Sequence, residues 1–312
     1  MENLHKVIVI VGPTCSGKTR LSLLLAERLN GEIISADSRQ VYKYLTIGTA
    51  KPTSEQLNSV KHFFVDELNP DEDFNADKFA SKAKGVIKDI LSACKVPIVV
   101  GGSGLYIKAL IDGISVAVNS DKSIREELLK LRKEFGNNYL YNELKKIDPV
   151  SAEKMLPQNW KRVIRAIEVF KISGKPIWQH HIESVNNPEF DFVQYGLLWD
   201  RKKLYENIER RVDEMISLGL LDEVKMILNK EYSKELNSLN TVGYKELIDF
   251  IENKITFEEA INLIKRNTKR YAKRQMTWFN ADKRINWIAI NSFDEIEEIA
   301  EKILKEYYER KN

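Results

Sequence analysis

The first feature that could do chemistry is a glycine-rich loop near the N-terminus, residues 12–19 with the sequence GPTCSGKT. It matches the phosphate-binding pattern G-x-x-x-x-G-K-[ST] and lies between a β-branched apolar run and apolar residues at helical spacing. In such a loop the backbone amides surround a phosphate, and the following helix adds its positive N-terminal end. We expect Lys18 to neutralise phosphate charge and the Thr19 hydroxyl to ligate Mg²⁺. The predicted phosphate site comprises Gly12, Thr14, Cys15, Ser16, Gly17, Lys18 and Thr19.

The loop does not by itself identify the ligand, because a nucleotide and a simple diphosphate present the same oxygens. Many P-loop NTPases hold Mg²⁺ with an aspartate that follows another strand. Here the apolar run at residues 96–100 leads into GGSG at residues 101–104, with no acid at its end. This weakens the interpretation as an NTPase.

An acid follows the second predicted strand, in the segment DSRQVY at residues 37–42. Ligands of open α/β sheets lie at the carboxyl ends of the strands, so Asp37 is expected to face the phosphate loop. Ser38 and Gln40 could hydrogen-bond to the edge of a planar base, and Tyr42 could stack on it. The alternative is an aspartate that only caps a turn.

A basic stripe lies near the C-terminus, where residues 265–284 contain eight basic residues and one acid, Asp282. Pairs recur every four residues, which predicts a stripe along a helix, and such a stripe suits a phosphate backbone. A solvated helix face is the alternative. Arg162 and Arg165, three residues apart on another predicted helix, could form a second contact. The stripe consists of Lys265, Arg266, Lys269, Arg270, Lys273, Arg274, Lys283 and Arg284.

These residues need a fold that brings them together. Up to about residue 118, helices alternate with strands whose apolar runs are too continuous for a half-exposed sheet, which predicts an α/β fold with a buried parallel sheet. Helical periodicity then dominates until residues 192–199, whose pattern is that of a strand. We therefore expect a core of residues 1–118 and 192–312, with a mainly helical inserted domain at 119–191. The amphipathic terminal helix from Phe293 is expected to pack on the core.

Composition excludes several classes of protein. The chain has 312 residues, of which 43% are hydrophobic and 30% charged, as in folded globular proteins. Two cysteines, Cys15 and Cys94, and four histidines are too few for a disulfide framework or a zinc site, and His180 and His181 are interpreted as surface residues. No apolar window approaches the length of a membrane span. A cytosolic monomer that does not bind membranes is expected.

Several motifs together resemble one family, the tRNA dimethylallyltransferases, also called tRNA isopentenyltransferases. In order they are GPTCSGKT, ISADSRQVY at residues 34–42, GGSGLY at 101–106, KRVIRAIE at 161–168, TVGY at 241–244 and KRQMTW at 273–278. Arg210 and Arg211 ahead of a Gly-Leu pair extend the resemblance. Two positions depart from the family pattern: Ser103 stands where threonine is usual, and Cys15 where alanine is common.

The resemblance implies a P-loop fold like that of the nucleotide kinases and a specific reaction. Such enzymes transfer a dimethylallyl group from dimethylallyl diphosphate to the exocyclic amino nitrogen of the adenosine 3′ of the anticodon. It implies that Asp37 is the general base, that Ser38 and Gln40 contact the target base, and that Ser103 and Arg211 lie at the reaction centre. The loop would then hold diphosphate with Mg²⁺ instead of ATP.

The partner that the resemblance implies is a tRNA anticodon stem-loop. The residues expected to bind it are Asp37, Ser38, Arg39, Gln40, Arg125, Lys161, Arg162, Arg165, Thr241, Gly243, Tyr244, Lys245, Lys269, Arg270, Lys273, Arg274 and Gln275.

Three alternatives remain. A small-molecule P-loop kinase would be expected to carry an acid after residues 96–100. An adenylate isopentenyltransferase acting on free nucleotides would not need the basic stripe or the insertion. A non-enzymatic RNA-binding protein would leave the phosphate loop and Asp37 without a role.

Overall fold

The computed structural model describes residues 5–113, 121–179 and 189–309, which form two compact units. Asp112–Asn187 makes the smaller unit, and Met1–Ile111 with Pro188–Asn312 makes the larger one. The smaller unit is therefore an insertion in the chain of the larger. Its limits lie a few residues before the predicted ones. The C-terminal limit is earlier because Asp191 already pairs with Lys6 in the sheet of the larger unit.

The larger unit is built on a parallel sheet of six strands in the order β3-β2-β4-β1-β5-β6. All five neighbouring pairs are parallel, which confirms the predicted α/β class. The third strand has two residues and escaped prediction because so short a segment shows no periodicity. The strands are β1 (Lys6–Val11), β2 (Gly31–Ser35), β3 (His62–Phe63), β4 (Val96–Gly101), β5 (Asp191–Trp199) and β6 (Asn286–Ile290).

The central strand explains why the sheet needs cover on both faces. Val7 to Val11 of β1 are all at most 1% exposed. Successive side chains of a strand point to opposite faces, so both faces of the sheet are shielded from water. The helices before the insertion are α1 (Lys18–Leu29), α2 (Ser54–Ser59), α3 (Ala76–Ser92) and α4 (Gly104–Asp112).

The insertion is helical, as expected, and has its own small core. Leu128, Leu140, Leu144 and Val163 are buried in it. The buried Glu168 accepts a hydrogen bond from the Asp121 N–H at 3.1 Å and joins two helices of this unit. These helices are α5 (Lys122–Ile147), which bends at Gly136, α6 (Pro149–Glu153) and α7 (Trp160–Ser173).

After the insertion the chain adds β5, β6 and five helices. The terminal helix begins at Ile296, after a 3₁₀ turn at Phe293–Glu295, and buries Ile296, Ile299 and Ile303 against α1. The predicted packing role of this helix is confirmed. These helices are α8 (Arg201–Ser217), α9 (Leu220–Asn229), α10 (Tyr244–Ile251), α11 (Phe257–Phe279) and α12 (Ile296–Glu309). No helix in the described part of the chain is long and apolar enough to span a membrane.

Two glycines provide a matched test of the fold. A Cβ at Gly101 would lie 2.1 Å from the backbone oxygen of Ala36, whereas a Cβ at Gly85 in α3 meets nothing within 4 Å. Gly101→Ala should lower the free energy of unfolding by about 1–3 kcal/mol through overpacking. Gly85→Ala should raise it by about 0.5–1 kcal/mol, because alanine restricts the unfolded chain more. Urea titrations measure both; shifts in the same direction would contradict this account.

Candidate active site

Three loops meet at the carboxyl ends of β1, β2 and β4. The Ala36 N–H donates to the Val100 carbonyl at 2.7 Å, and the Ser103 N–H donates to the Ala36 carbonyl at 3.2 Å. The Ser38 N–H donates to the Ser103 Oγ at 3.0 Å. The loop after β2 is therefore tied to the loop after β4.

Three residues of the phosphate loop have positive φ angles, and two of them are glycines. Gly12 and Gly17 have φ of 149° and 93°, and Cys15 has φ of 61°. Glycine adopts such angles at little cost. A Cβ at Gly17 would also lie 2.7 Å from the Ile296 side chain, so α12 closes one side of the loop.

Strand β5 supports the same loop. The Trp199 Nε1–H donates to the Ser16 carbonyl at 3.0 Å, and the Trp199 ring lies 4.9 Å from that of Phe293. No sequence signal indicated this support, since both aromatic residues lie far along the chain and outside any motif.

Lys18 folds back into its own loop. Its Nζ donates to the Pro13 carbonyl at 2.6 Å. Burial lowers the pKa of Lys18 to about 8; the nearby Arg211 lowers it too, while the Asp37 carboxylate opposes the decrease. Arg211 on α8 is therefore close enough to the phosphate loop to influence the charge of Lys18. Burial also raises the pKa of the Cys15 thiol, which keeps it protonated at neutral pH.

The carboxylate of Asp37 is held by one oxygen. Asp37 Oδ1 accepts the Arg39 N–H at 2.8 Å and the Gln40 N–H at 3.3 Å. No described residue donates a hydrogen bond to Oδ2. The turn-capping alternative is thus correct for Oδ1, and the same carboxylate keeps a second oxygen able to accept a proton.

The side chains of Gln40 and Tyr42 are engaged inside the protein and are not available to contact a base. Gln40 Oε1 accepts the Ser35 hydroxyl at 3.0 Å, and its Nε2 donates to the Thr49 and Ala50 carbonyls at 3.2 and 3.1 Å. Both amide hydrogens of Gln40 are therefore in use. Tyr42 is 2% exposed, so the expected stacking surface is absent.

A glutamate that sequence reasoning missed holds the same segment. Glu223 on α9 accepts the N–H groups of Thr46, Ile47 and Gly48 at 3.0, 2.7 and 3.2 Å. It also accepts the Tyr244 hydroxyl at 2.6 Å. A single glutamate on an amphipathic helix carries no recognisable signal, so only the folded chain reveals this cluster.

Most of the TVGY segment, residues 241–244, is engaged inside the protein, although it was expected to contact tRNA. Tyr244 is fully buried and cannot touch a tRNA directly. Gly243 is buried as well and donates its N–H to Glu246 at 2.8 Å, and the Thr241 hydroxyl donates to the Ser238 carbonyl at 2.6 Å. Lys245 is exposed and lies 3.6 Å from Glu246. Of this segment, Lys245 is the residue whose charged group faces solvent.

The basic stripe on α11 is partly neutralised. Lys265 forms an ion pair with Asp213 at 2.7 Å, and Lys269 forms one with Glu209, both acids lying on α8. These acids come from another helix, so they are not visible in the sequence of the stripe itself. Arg270 and Lys273 are exposed and make no ion pair with a described residue. Beyond the helix, Arg284 pairs with Asp282 at 2.7 Å.

The unneutralised part of α11 lines a cavity of about 830 Å³. Apolar side chains of α4, among them Ile107 and Ile111, form another part of its wall. The Trp278 ring occupies the place where Gly104 would carry a Cβ. The basic residues that line the cavity are Lys108, Arg270, Lys273, Arg274, Lys283 and Arg284.

Gln275 lies on the same helix but is 6% exposed, although it was expected to contact tRNA. Its Oε1 accepts the Thr14 N–H and its Nε2 donates to the Gly102 carbonyl, both at 2.9 Å. Gln275 therefore faces the phosphate loop and not solvent.

The expected contacts in the insertion divide into two groups. Arg165 pairs with the buried Glu168 at 2.9 Å, and Arg125 lies 3.9 Å from it. These two arginines compensate a buried charge. Lys161 and Arg162 are exposed. His180 and His181 lie outside the described residues.

A resident metal site made of protein ligands is absent from the described segments, where no three His, Cys, Asp or Glu residues converge. Thr19 is exposed at the start of α1. Mg²⁺ prefers oxygen ligands and usually binds through substrate phosphates, waters and few protein groups. The Thr19 hydroxyl beside a bound diphosphate fits that donor set.

Comparison with known proteins places this geometry in context. The family model for IPP transferase matches residues 40–282. The chain is 46% identical over 307 residues to the tRNA dimethylallyltransferase of Acetivibrio thermocellus, covering 98% of this chain and 97% of the relative. It is 45% identical over 303 residues to that of Alkaliphilus oremlandii, covering 97% of each.

The similar solved structures are enzymes of the same kind as these sequence relatives. The full-length tRNA isopentenylpyrophosphate transferase of Bacillus halodurans is 38% identical with a TM-score of 0.72, covering 98% of each chain. A eukaryotic dimethylallyltransferase acting on tRNA is 29% identical with a TM-score of 0.79, covering 93% of this chain and 75% of the other. These comparisons confirm the resemblance inferred from the motifs.

The pKa of Lys18 gives a test of the phosphate loop. At pH 8 about half of the Lys18 side chains are uncharged, and a bound diphosphate should restore the charged form. Calorimetry with Mg²⁺ and inorganic diphosphate in buffers of different ionisation enthalpy should therefore record uptake of about half a proton more than for Lys18→Met. Subtracting the value for Lys18→Met removes the protons that diphosphate itself takes up or releases on binding. The difference should vanish below pH 7; equal proton uptake at pH 8 would show that binding does not change the charge of Lys18.

Proposed function

The chain belongs to the IPP transferase family, that of the tRNA dimethylallyltransferases, and we propose the following reaction for it. A dimethylallyl group passes from dimethylallyl diphosphate to the exocyclic amino nitrogen of the tRNA adenosine 3′ of the anticodon, and diphosphate is released. The protein is thus a prenyltransferase that acts on tRNA. The observation that carries the finer proposal is Asp37, with one carboxylate oxygen fixed by two amides and the other open, beside the phosphate loop.

The donor is assigned to the phosphate loop. Strand β4 ends in glycines and not in the acid that a P-loop kinase would need, which favours a diphosphate over ATP. As the bond between the allylic carbon and oxygen breaks, its electrons pass to diphosphate, whose oxygens gain charge. The loop amides, Lys18 and Arg211 would stabilise that charge. Mg²⁺ bound through Thr19 would further neutralise the leaving diphosphate.

The acceptor nitrogen needs a proton acceptor. An exocyclic adenine amine is a poor nucleophile, so its proton must leave as the new bond between nitrogen and carbon forms. Asp37 Oδ2 is assigned this role. The two backbone amides that bind Oδ1 hold the carboxylate in one orientation. Ser103, whose Oγ accepts the Ser38 N–H, is assigned to the reaction centre next to it.

The anticodon stem-loop is assigned to the exposed cations of α11 and the cavity beside them. Arg270, Lys273 and Arg274 would contact phosphates, and the half-exposed Trp278 offers a stacking surface. Lys161 and Arg162 of the insertion are assigned a second backbone contact. The target base must leave its stack to reach Asp37, as in other enzymes that act on bases.

We further propose that the enzyme acts in the cytoplasm as a monomer. The acceptor is a tRNA, and both cysteines, Cys15 and Cys94, are free thiols, as suits a reducing compartment.

Removing the proton acceptor tests the mechanism. Asp37→Asn keeps the oxygen that binds the Arg39 and Gln40 amides, so the turn should persist while proton transfer fails. Transfer at saturating substrates should fall by about 10²- to 10⁴-fold, with diphosphate affinity nearly unchanged. Asp200→Asn is the matched control, because Asp200 also accepts two backbone amides and takes no part in the chemistry. Mass spectrometry of the tRNA measures transfer; an Asp37→Asn rate within tenfold of the unmodified enzyme would refute the general base.

Two double variants with equal charge loss test the tRNA surface. Arg270→Gln with Lys273→Gln removes unpaired cations, whereas Lys265→Gln with Lys269→Gln removes cations already neutralised by α8. The first should raise the Michaelis constant for tRNA and flatten its salt dependence by about 0.7–0.9 log units for each phosphate that is no longer neutralised. The second should change both much less, and neither should change turnover at saturating tRNA. Binding titrations at several salt concentrations decide; equal effects would show that only net charge matters.

A further inference from the structure

Helix α11 presents one face to the catalytic loops. Tyr271, Gln275 and Trp278 follow one another at spacings of four and three residues, which places them on the same side of a helix. Burial raises the pKa of Tyr271, and the nearby Ser103 side chain opposes that rise. Trp278 fills the space beside Gly104. Gln275, between them, is the member that reaches both the phosphate loop and the loop after β4.

The amide of Gln275 fits its place in only one orientation. Its oxygen accepts the Thr14 N–H and its nitrogen donates to the Gly102 carbonyl, both at 2.9 Å. The reversed amide would set donor against donor and acceptor against acceptor. A Cβ at Gly102 would lie 2.2 Å from the Gln275 nitrogen, so the close approach requires glycine there. The side chain thus bridges the loops that follow β1 and β4.

The two bridged loops have different tasks in the proposed reaction. The loop of Thr14 holds the leaving diphosphate, and the loop of Gly102 continues into Ser103 at the reaction centre. Transfer requires the allylic carbon and the acceptor nitrogen to be aligned, and a misplacement of about 1 Å can cost on the order of 10²-fold in rate. A group that fixes the distance between these loops therefore controls the alignment.

We infer that Gln275 is a positioning residue for catalysis: its amide holds the phosphate loop and the Ser103 loop in the spacing that transfer requires, and it does not contact tRNA. This inference rests on the proposed function. It gives Gln275 a role opposite to that of Arg270 and Lys273, which lie on the exposed part of the same helix.

The kinetic signature separates the two roles. Gln275→Met keeps the length of the side chain and removes both hydrogen bonds. It should lower kcat by about 10- to 100-fold and leave the Michaelis constant for tRNA within about twofold of the unmodified enzyme. The Arg270→Gln and Lys273→Gln double variant should show the reverse, a raised Michaelis constant for tRNA with kcat unchanged.

A second variant guards against loss of folding. Gln275→Glu accepts the Thr14 N–H when ionised but has no hydrogen to donate to Gly102, and protonation of its carboxyl supplies that donor. Its rate relative to the unmodified enzyme should therefore rise as pH falls from about 8 to about 5.5, which a role in stability alone would not produce. Thermal unfolding of each variant is measured in parallel.

The outcomes are distinct. A lowered kcat in Gln275→Met together with rescue of Gln275→Glu at low pH supports the inference. An unchanged kcat, a rise in the tRNA Michaelis constant alone, or a flat pH ratio for Gln275→Glu overturns it and leaves the proposed function intact. If the unmodified enzyme fails to modify tRNA with dimethylallyl diphosphate, the proposed function falls and the inference falls with it.

Discussion

Loops that leave neighbouring parallel strands can form a site only if their backbone groups find partners beyond the end of the sheet. Here the Ala36 carbonyl, one residue past β2, accepts the Ser103 N–H at 3.2 Å and lies where Gly101 would carry a side chain. The Ser38 N–H then reaches the Ser103 hydroxyl. This close contact between two loop backbones sets the direction of Asp37, and the supports from β5, α9, α11 and α12 hold the surrounding segments to it.

Local signals account for the parts that could be predicted from the sequence. The phosphate loop, the buried strands and the acid after β2 are recognisable because glycine spacing, β-branched runs and strand ends act over a few residues. The supports are not local. Glu223 holds amides 175 to 177 residues away, and Gln275 holds Thr14 at a separation of 261. No pattern within a window reveals such pairs, so Gln40, Tyr42, Tyr244 and Gln275 were expected to face a ligand although they are engaged inside the protein.

The basic stripe shows that a correctly recognised helical repeat does not identify which of its cations are exposed. With 3.6 residues per turn, side chains four residues apart drift by about 40°, so Lys265 and Lys273 diverge by about 80°. The N-terminal members Lys265 and Lys269 therefore face α8 and its acids, while Lys273 has turned away from them. Adjacent pairs are also about 100° apart, which puts Arg270 on another face than Lys269. A four-residue repeat thus predicts a cationic helix but not which cations remain available to a ligand.

Helix α11 therefore carries two faces, and the proposed reaction depends on the distance between them. Its cations Arg270 and Lys273 face solvent and the cavity, and Tyr271, Gln275 and Trp278 face the loops that surround Asp37. A helix rises about 1.5 Å per residue, so Arg270 and Gln275 are separated by roughly 7.5 Å along its axis whatever is bound. In the proposed function, a polynucleotide held by its phosphates on one face would thereby be offered to the reacting groups at a fixed distance. Backbone contacts carry no sequence information; on this proposal they would supply the position of the acceptor relative to the donor, on which the rate of transfer depends steeply.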